Sequence, residues 1–157
     1  MIDPLIEKAL GTKFYQESLP SNDRGECLKA LAQVWRNEAR VTNWKELSAD
    51  VMDIQEDRVD LIVSPGVWLP HLRSHNVKGL LLSVGKFETP ARFLETESGP
   101  DIKFAILIAA PTGMVSEYQR CVGSLLRVLE QLADKPEEEQ AASAESLHQL
   151  LKESCAG

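Results

Sequence analysis

Two of the chain's three histidines stand four residues apart in the stretch GVWLPHLRSH, residues 66–75, which is otherwise mostly apolar. Histidines at this spacing on one helix can bind a single metal ion. Pro70 and the strand-like residues before it argue against a helix through His71, and His148 falls in a predicted terminal helix. We therefore predict no metal site, and we interpret His75, in the polar turn RSHN, as a residue without a chemical role.

The position of His71 makes it a candidate functional residue. It follows Leu69 and Pro70 at the end of a predicted buried strand. Loops at the ends of buried strands hold ligands and catalytic groups in α/β domains. The alternative, which these residues leave open, is a histidine at a strand end whose ring bonds only to backbone or water.

Other common chemistries lack their motifs in this chain. The sequence contains no GxSxG elbow, no P-loop and no GxGxxG run. Its three cysteines, Cys27, Cys121 and Cys155, are far apart and form no CxxC pair, which argues against a disulfide framework and a structural zinc site. Cys27 and Cys121 stand on apolar helix faces, where cysteine usually behaves as a small hydrophobic residue.

The length and composition indicate one folded domain. The chain has 157 residues, of which 43% are hydrophobic and 26% charged. Its net charge of −7 and its scattered basic residues argue against a nucleic-acid surface. The N-terminus does not resemble a signal peptide, and the longest apolar run is far below the ~20 residues of a membrane helix. We expect a cytoplasmic protein without membrane insertion.

The first part of the chain predicts two amphipathic helices. In SNDRGECLKALAQVWRNEA, Asp23 and Glu26 have the spacing of a capping box, and this helix is expected to end near residues 37–42. In TNWKELSADVMDI, Asn43 and Glu46 have the same spacing.

Strands and further helices follow. The runs VDLIVS, GVWLP, VKGLLLSVG and IKFAILIAAP predict strands, and the continuous apolar character of the last two implies burial on both faces of a sheet. A leucine-rich helix, capped by Ser116 and Gln119, comes next, and a short terminal helix ends the chain. The predicted order is helix, helix, strands, helix, helix. It favours an α/β three-layer sandwich with helices on both faces of the sheet.

This order and the residues around His71 resemble the fructose/mannitol-type enzyme IIA domains of the bacterial phosphoenolpyruvate sugar phosphotransferase system, including its nitrogen-regulatory branch. The family carries a small-apolar-Pro-His motif, a strand V(K/R)…VG, a strand ending in APxxx and a leucine-rich helix. This chain has PGVWLPHLR, VKGLLLSVG, DIKFAILIAAPTG and EYQRCVGSLLRVLEQL in that order. The resemblance spans nearly the whole chain and implies one IIA-like domain over residues 1–157 with a mixed β-sheet between helices.

In that family, the histidine after the proline accepts a phosphoryl group from the phosphocarrier protein HPr and passes it to a IIB domain. The resemblance gives this role to His71. It implies no cofactor, and it implies as partners an HPr-like phosphocarrier and a IIB-like domain or a regulated transporter or kinase. The chemistry suits the residue, because a neutral imidazole can attack phosphorus.

The chain departs from the family pattern in two places. The family's glycine run before Pro-His is reduced here to Gly66, with Ile62 and Ser64 where glycines are expected, so fewer backbone amides can reach a phosphate. A second family histidine, near the start of the helix after APxxx, falls on Tyr118. Its hydroxyl can donate one hydrogen bond but cannot become cationic. The alternative is that Tyr118 only packs on the helix face.

Arg73, two residues after His71, is a candidate phosphate contact or an exposed residue without a site role. Two functions therefore stay open. The first is a phosphoryl carrier with a transport or regulatory role, which the intact Pro-His favours. The second is a IIA-like regulatory module that no longer carries phosphate, which the lost glycines and Tyr118 favour. A third interpretation, an unrelated small α/β protein, leaves the ordered matches unexplained.

Overall fold

The computed structural model describes residues 4–54, 61–63, 65–91, 93 and 101–154. Within these ranges the helices are α1 (Pro4–Leu10), α2 (Arg24–Gln33), α3 (Trp44–Asp53), α4 (Val115–Ala133) and α5 (Ala144–Ser154). The strands are β1 (Tyr15–Leu19), β2 (Ile62–Val63), β3 (Val67–Trp68), β4 (His71–Arg73), β5 (Leu81–Phe87) and β6 (Phe104–Ala110). None of the described helices combines the length and the apolar character needed to cross a membrane.

The strands form one mixed sheet. Its order is β1-β5-β6-β3-β2, and β4 also pairs with β6. β5 runs antiparallel to β6, whereas β3 and β4 run parallel to it. β1 is parallel to β5, and β2 is antiparallel to β3. β6 is therefore a central strand, and the strand that begins with His71 lies beside its C-terminal half.

The side chains of β6 alternate between two hydrophobic clusters, one on each face of the sheet. Ile106 and Ile108 belong to the cluster that α1, α4 and α5 complete. Ala105 and Leu107 belong to the cluster that α2 and α3 complete. Every residue of β6 is buried, which explains an apolar sequence without alternation. The predicted three-layer α/β sandwich, a mixed sheet with helices on both faces, is confirmed.

The two predicted helix caps in the first part of the chain are present. The Asp23 carboxylate accepts a hydrogen bond from the amide of Glu26 at 2.9 Å. The Asn43 side chain accepts one from the amide of Glu46 at 3.1 Å. Each cap satisfies an amide that has no partner within its own helix.

α2 ends earlier than predicted. The sequence favours an end near residues 37–42, whereas the helix ends at Gln33. The amide of Trp35 donates to the carbonyl of Ala32 at 2.9 Å, which is the hydrogen bond of a 3₁₀ turn. Trp35 is fully buried, and its indole N–H donates to the carbonyl of Leu82 at 3.4 Å. These contacts stabilise the turn in place of further helix.

The predicted order of elements was wrong at its start and lacked one helix and two strands. α1 and β1 precede the helix that was predicted to be first, and β4 follows β3. β1 reads YQESL, with exposed polar residues at the edge of the sheet, and so lacks the apolar pattern of a typical strand. Only its last residue, Leu19, is buried.

The predicted cap of the leucine-rich helix was also wrong. α4 begins at Val115, its N-cap residue is Met114, and no side chain caps it. Ser116 is therefore the second residue of the helix and not its N-cap residue. Gln119 follows within the helix and is exposed.

Two of the three cysteines lie on opposite faces of the sheet. Cys27 belongs to the cluster under α2 and α3, and Cys121 belongs to the cluster under α4. Burial raises the pKa of the Cys27 thiol to about 12, against a smaller opposing effect of the Arg24 charge. This thiol therefore stays neutral and acts as a small hydrophobic group. Cys155 lies outside the described residues.

Candidate functional site

Pro70 separates two short strands that both run along β6. β3 ends at Trp68, and β4 begins at His71. The carbonyl of Pro70 accepts a hydrogen bond from the amide of Ile108 at 3.0 Å, so the chain stays beside β6 through the break. His71 is therefore the first residue of a new strand and not the last residue of the strand before it.

The alternation within β4 places two polar side chains on the α4 face of the sheet. His71 and Arg73 are exposed, whereas Leu72 packs into the cluster under α2 and α3. In the parallel ladder, His71 and Arg73 pair with Ile108 and Ala110, which belong to the opposite cluster. Because paired residues on neighbouring strands share a face, the imidazole and the guanidinium both lie towards α4.

The imidazole of His71 is held by the backbone just before it. Its Nδ1 lies 3.3 Å from the carbonyl oxygen of Leu69. A carbonyl only accepts hydrogen bonds, so this contact favours the tautomer with the proton on Nδ1. Nε2 then keeps its lone pair and has no hydrogen-bond partner among the described residues. The exposed ring therefore presents a basic nitrogen to an approaching group.

Tyr118 lies next to this ring. The two ring centroids are 5.9 Å apart, with an angle of 44° between the ring planes. Burial raises the pKa of the Tyr118 hydroxyl, the positive charge of Arg73 acts to lower it, and Cys121 adds a smaller upward effect. The hydroxyl therefore stays protonated at neutral pH and can donate. The structure thus brings together the three predicted site residues, His71, Arg73 and Tyr118.

An open depression of about 370 Å³ lies beside His71. β4 and the turn after it form one side, the C-terminal part of α3 forms another, and the loop between β6 and α4 closes a third. Four further polar residues line this depression and were not predicted. They are Asp50, Asp53, Ser74 and Thr112. The residues next to His71 in sequence do not show that α3 packs against the turn after β4.

The glycine that remains from the family's run lies away from this depression. Gly66 adjoins the start of β6, where its carbonyl accepts from the amide of Lys103 at 2.9 Å. His71 instead pairs with Ile108. Phe104 and Ile108 are four residues apart on β6, which corresponds to roughly 13 Å along a strand. Gly66 therefore serves the turn between β2 and β3, Ile62 is in β2, and Ser64 lies outside the described residues.

Of the other two histidines, His75 lines the same depression as His71, and His148 lies elsewhere in the fold. His75 is exposed, with its Nε2 3.9 Å from the carboxylate of Glu46, a pairing of little energetic weight at a solvated surface. His148 is buried, and its Nε2 lies 2.8 Å from the carbonyl of Leu10. In the part of the chain that the structure describes, no group of three His, Cys, Asp or Glu side chains is placed to hold a metal ion.

The comparison with protein families gives a match over most of the chain. The family model of the phosphoenolpyruvate-dependent sugar phosphotransferase system, EIIA 2, matches residues 14–154. The chain belongs to this family. The resemblance seen in the sequence is therefore confirmed, and the protein is a IIA-like member of the phosphotransferase system. Among curated proteins, no sequence matches it.

Solved structures share the fold of this IIA-like chain. The nitrogen regulatory protein IIA-Ntr from Neisseria meningitidis superposes with a TM-score of 0.59 at 18% identity, covering 88% of this chain and 92% of that one. The mannitol-specific cryptic phosphotransferase enzyme IIA CmtB from Escherichia coli superposes with a TM-score of 0.60 at 17% identity, covering 95% and 99%. At such low identity these likenesses show the fold alone.

Proposed function

We propose that this protein is a phosphoryl carrier of the phosphotransferase system and that His71 is the acceptor. The observation that carries the proposal is the state of the His71 ring. Its Nδ1 is engaged by the carbonyl of Leu69, and its Nε2 is exposed with a free lone pair. The ring also lies next to Tyr118, and Arg73 lies on the same face of the sheet, so two hydrogen-bond donors are near this nitrogen.

The transfer step needs only groups that the site and its partner supply. The Nε2 lone pair of His71 attacks the phosphorus of a phosphohistidine on an HPr-like carrier. The phosphorus–nitrogen bond of the donor breaks, its electron pair returns to the donor imidazole, and that ring takes up a proton from solvent and leaves as neutral imidazole. The His71 ring keeps its Nδ1 proton and carries one positive charge beside the phosphoryl oxygens. The phosphoryl group then resides on Nε2 until an acceptor on a IIB-like domain, or on a regulated partner, takes it in the same way.

Two neighbouring side chains can stabilise the transferred group. Arg73 lies on the same face as His71 and brings a permanent positive charge. Tyr118 brings one neutral hydrogen-bond donor. Charge-assisted donors from arginine are the stronger of these two kinds of contact with phosphate oxygens. We therefore assign the main electrostatic role to Arg73 and a supporting role to Tyr118.

The partners that we propose are proteins. His71 lies on an open part of the surface, where the histidine of another folded domain can approach it. We also propose that residues 1–157 act as one IIA-like domain, because both hydrophobic clusters share a single sheet. The transfer that we propose passes directly between histidines and uses no cofactor.

A second function is favoured by Tyr118. A phenol in place of the second family histidine cannot supply a positive charge to the phosphoryl group. This substitution supports a regulatory module that keeps the IIA fold, binds its partner and carries no phosphate. The two functions differ in one measurable property, which is the covalent state of His71.

The test is a phosphorylation relay followed by mass spectrometry. The protein is incubated with phosphoenolpyruvate, enzyme I and HPr, alongside His71→Ala and, as a matched control, His75→Ala. The proposal predicts one acid-labile phosphoryl group on the wild type and on His75→Ala, and none on His71→Ala. If a reference IIA protein is labelled while the wild type stays unlabelled, the carrier proposal fails.

A second arm separates failure of the site from failure of recognition. Phosphoramidate transfers a phosphoryl group to accessible histidines without a protein donor. Labelling of His71 by phosphoramidate, but not by HPr, would leave the acceptor chemistry in place and overturn HPr as the donor. No labelling of His71 by either donor would favour the regulatory module.

A further inference from the structure

The turn that follows β4 is hydrogen-bonded to a carboxylate of α3, that of Asp50. Oδ2 of Asp50 accepts a hydrogen bond from the hydroxyl of Ser74 at 2.6 Å and another from the side-chain amide of Asn76 at 2.9 Å. Ser74 and Asn76 are each only 3% exposed. Since buried polar groups are costly without partners, these two bonds hold the turn in one position.

The same turn is fixed at two further points. The amide of Ser74 donates to the carbonyl of Ala110 at the end of β6, at 2.9 Å. The carbonyl of Asn76 accepts from the amide of Thr42, which precedes α3, at 2.8 Å. The amide of Asn76 also donates to the hydroxyl of Ser74 at 3.0 Å. The Asp50 carboxylate is the side chain that joins these backbone contacts to α3.

β4 depends on such support because it is short. It has three residues, and in the described part of the sheet it pairs with β6 alone. Its middle residue, Leu72, packs towards the same face as α3, whereas His71 and Arg73 lie towards α4. A rotation or shift of β4 would therefore move the imidazole and the guanidinium together. A restraint on the turn directly after Arg73 opposes that movement.

We propose that Asp50 is a positioning residue for the His71 site, acting from α3 through Ser74 and Asn76 at the depression that His71 also lines. This inference rests on the proposed function for its effect on transfer. Asp50 sets the position of β4, and with it the approach of Nε2 to phosphorus and the place of the Arg73 charge. Small displacements of reacting groups are costly, with losses of up to about 100-fold for an error of about 1 Å.

The test compares Asp50→Ala with Asp53→Ala. Asp53 is on the same helix and lines the same depression, and in the part of the chain that the structure describes it has no hydrogen bond to the turn. Asp50→Ala is expected to slow transfer from phosphorylated HPr to His71 by roughly 10- to 100-fold. Asp50→Asn is expected to retain most of the rate, because an amide oxygen in the place of Oδ2 accepts the same two bonds. Asp53→Ala is expected to match the wild type.

A spectroscopic readout keeps the inference separate from the proposed function. Nitrogen NMR of the His71 ring in the unphosphorylated protein is expected to show the tautomer with the proton on Nδ1 in the wild type, in Asp50→Asn and in Asp53→Ala. In Asp50→Ala the ring is expected to shift towards an average of both tautomers. If the wild type accepts no phosphoryl group, the proposed function fails, and the ring spectra still test the positioning role.

Ser74→Ala provides a second route to the same answer if Asp50→Ala does not fold. It removes one of the two donors to Oδ2 and the acceptor of the Asn76 amide, and it keeps the carboxylate and its bond from the Asn76 side chain. It is expected to shift the ring spectrum and the rate in the same direction as Asp50→Ala, by a smaller amount. Ring spectra and transfer rates of Asp50→Ala and Ser74→Ala that equal those of Asp53→Ala would overturn the inference.

Discussion

Tyr118 sets how much charge this site offers to a phosphoryl group. A histidine at its place can become cationic, whereas the half-buried phenol keeps its proton and offers one neutral donor. Arg73 then supplies the positive charge on this side of His71. The sequence predicted these three residues through the resemblance to the family. The contact between Nδ1 and the Leu69 carbonyl could not be predicted, because it depends on the turn of the chain at Pro70.

Tyr118→Phe tests the hydroxyl while it leaves the ring in place. Loss of one neutral hydrogen bond corresponds to roughly 0.5–1.5 kcal/mol, or a rate about two- to tenfold lower. Tyr118→His is expected to raise the rate above that of the wild type. Rapid-quench measurement of transfer from phosphorylated HPr gives both values. Tyr15→Phe, whose ring contacts His148 elsewhere, is the control; a Tyr118→Phe rate equal to the wild-type rate would assign the hydroxyl no role.

His148 predicts a pH dependence of stability. Burial lowers its pKa below the ordinary value of 6.5, against an opposing effect of the hydrogen bond to Leu10, and Lys152 lowers it further. The unfolded chain therefore binds a proton at higher pH than the fold does. The stabilising effect of the neutral ring is complete above pH 6.5 and is lost as the pH falls from there through the lower, folded pKa.

Urea unfolding at a series of pH values measures this effect. The free energy of unfolding of the wild type is expected to fall with decreasing pH in that window, more steeply than that of His148→Gln. His75→Gln, at the exposed histidine, is expected to follow the wild type. Parallel curves for the wild type and His148→Gln would contradict a lowered pKa of His148 in the folded protein.

At the scale of elements, the turn between β2 and β3 requires glycine. Gly66 has a φ of +126°, and a Cβ atom there would lie 2.3 Å from the carbonyl oxygen of Asp101. Gly66→Ala is expected to lower the free energy of unfolding by roughly 1–3 kcal/mol for the strained backbone, with the steric clash adding to this. Chemical denaturation measures the change.

Gly123→Ala is the matched control for that variant, with the opposite sign. Gly123 lies within α4, and nothing stands within 4 Å of the place of its Cβ. Because glycine is a poor helix former, this change is expected to stabilise the protein by about 0.5–1 kcal/mol. A Gly66→Ala protein as stable as the wild type would contradict the described turn.

The N-terminus of α5 is capped by the adjacent Ser143, whose hydroxyl accepts from the amide of Ser146 at 3.0 Å, and also by a distant strand. The carboxylate of Glu17 in β1 accepts hydrogen bonds from the amides of Ala144 and Glu145 at 2.7 and 3.1 Å. Glu17→Ala is expected to cost roughly 0.5–2 kcal/mol, as for loss of other helix caps. Ser18→Ala, the exposed neighbour, is expected to change little. Thermal unfolding compares the two, and equal midpoints would show that this cap does not hold α5.

The same strand explains why part of the element order escaped prediction. β1 is stabilised by pairing with β5 and by its bonds to α5, and not by an apolar pattern of its own. β5 and β6, in contrast, are rich in apolar residues and almost entirely buried, and both were predicted from sequence alone. Local patterns therefore predict elements that bury two faces, and they miss short elements that depend on distant partners.

At the scale of the whole molecule, helices from both faces of the sheet meet beside β4, where the site lies. The imidazole and its neighbours lie towards α4, whereas Asp50 holds the next turn from α3. The layered architecture was predictable, because capped helices and two-faced strands leave few ways to bury their apolar surface. The approach of α3 to the site was not predictable, since it depends on how two distant segments pack.

The atom that carries the phosphoryl group tests the account most directly. The wild-type protein is phosphorylated through enzyme I and HPr, and phosphorus and nitrogen NMR then identify the bonded nitrogen. We expect the phosphoryl group on Nε2 of His71, because Nδ1 is held by the carbonyl of Leu69. A phosphoryl group on Nδ1 of His71, on His75, or on no residue at all would contradict it.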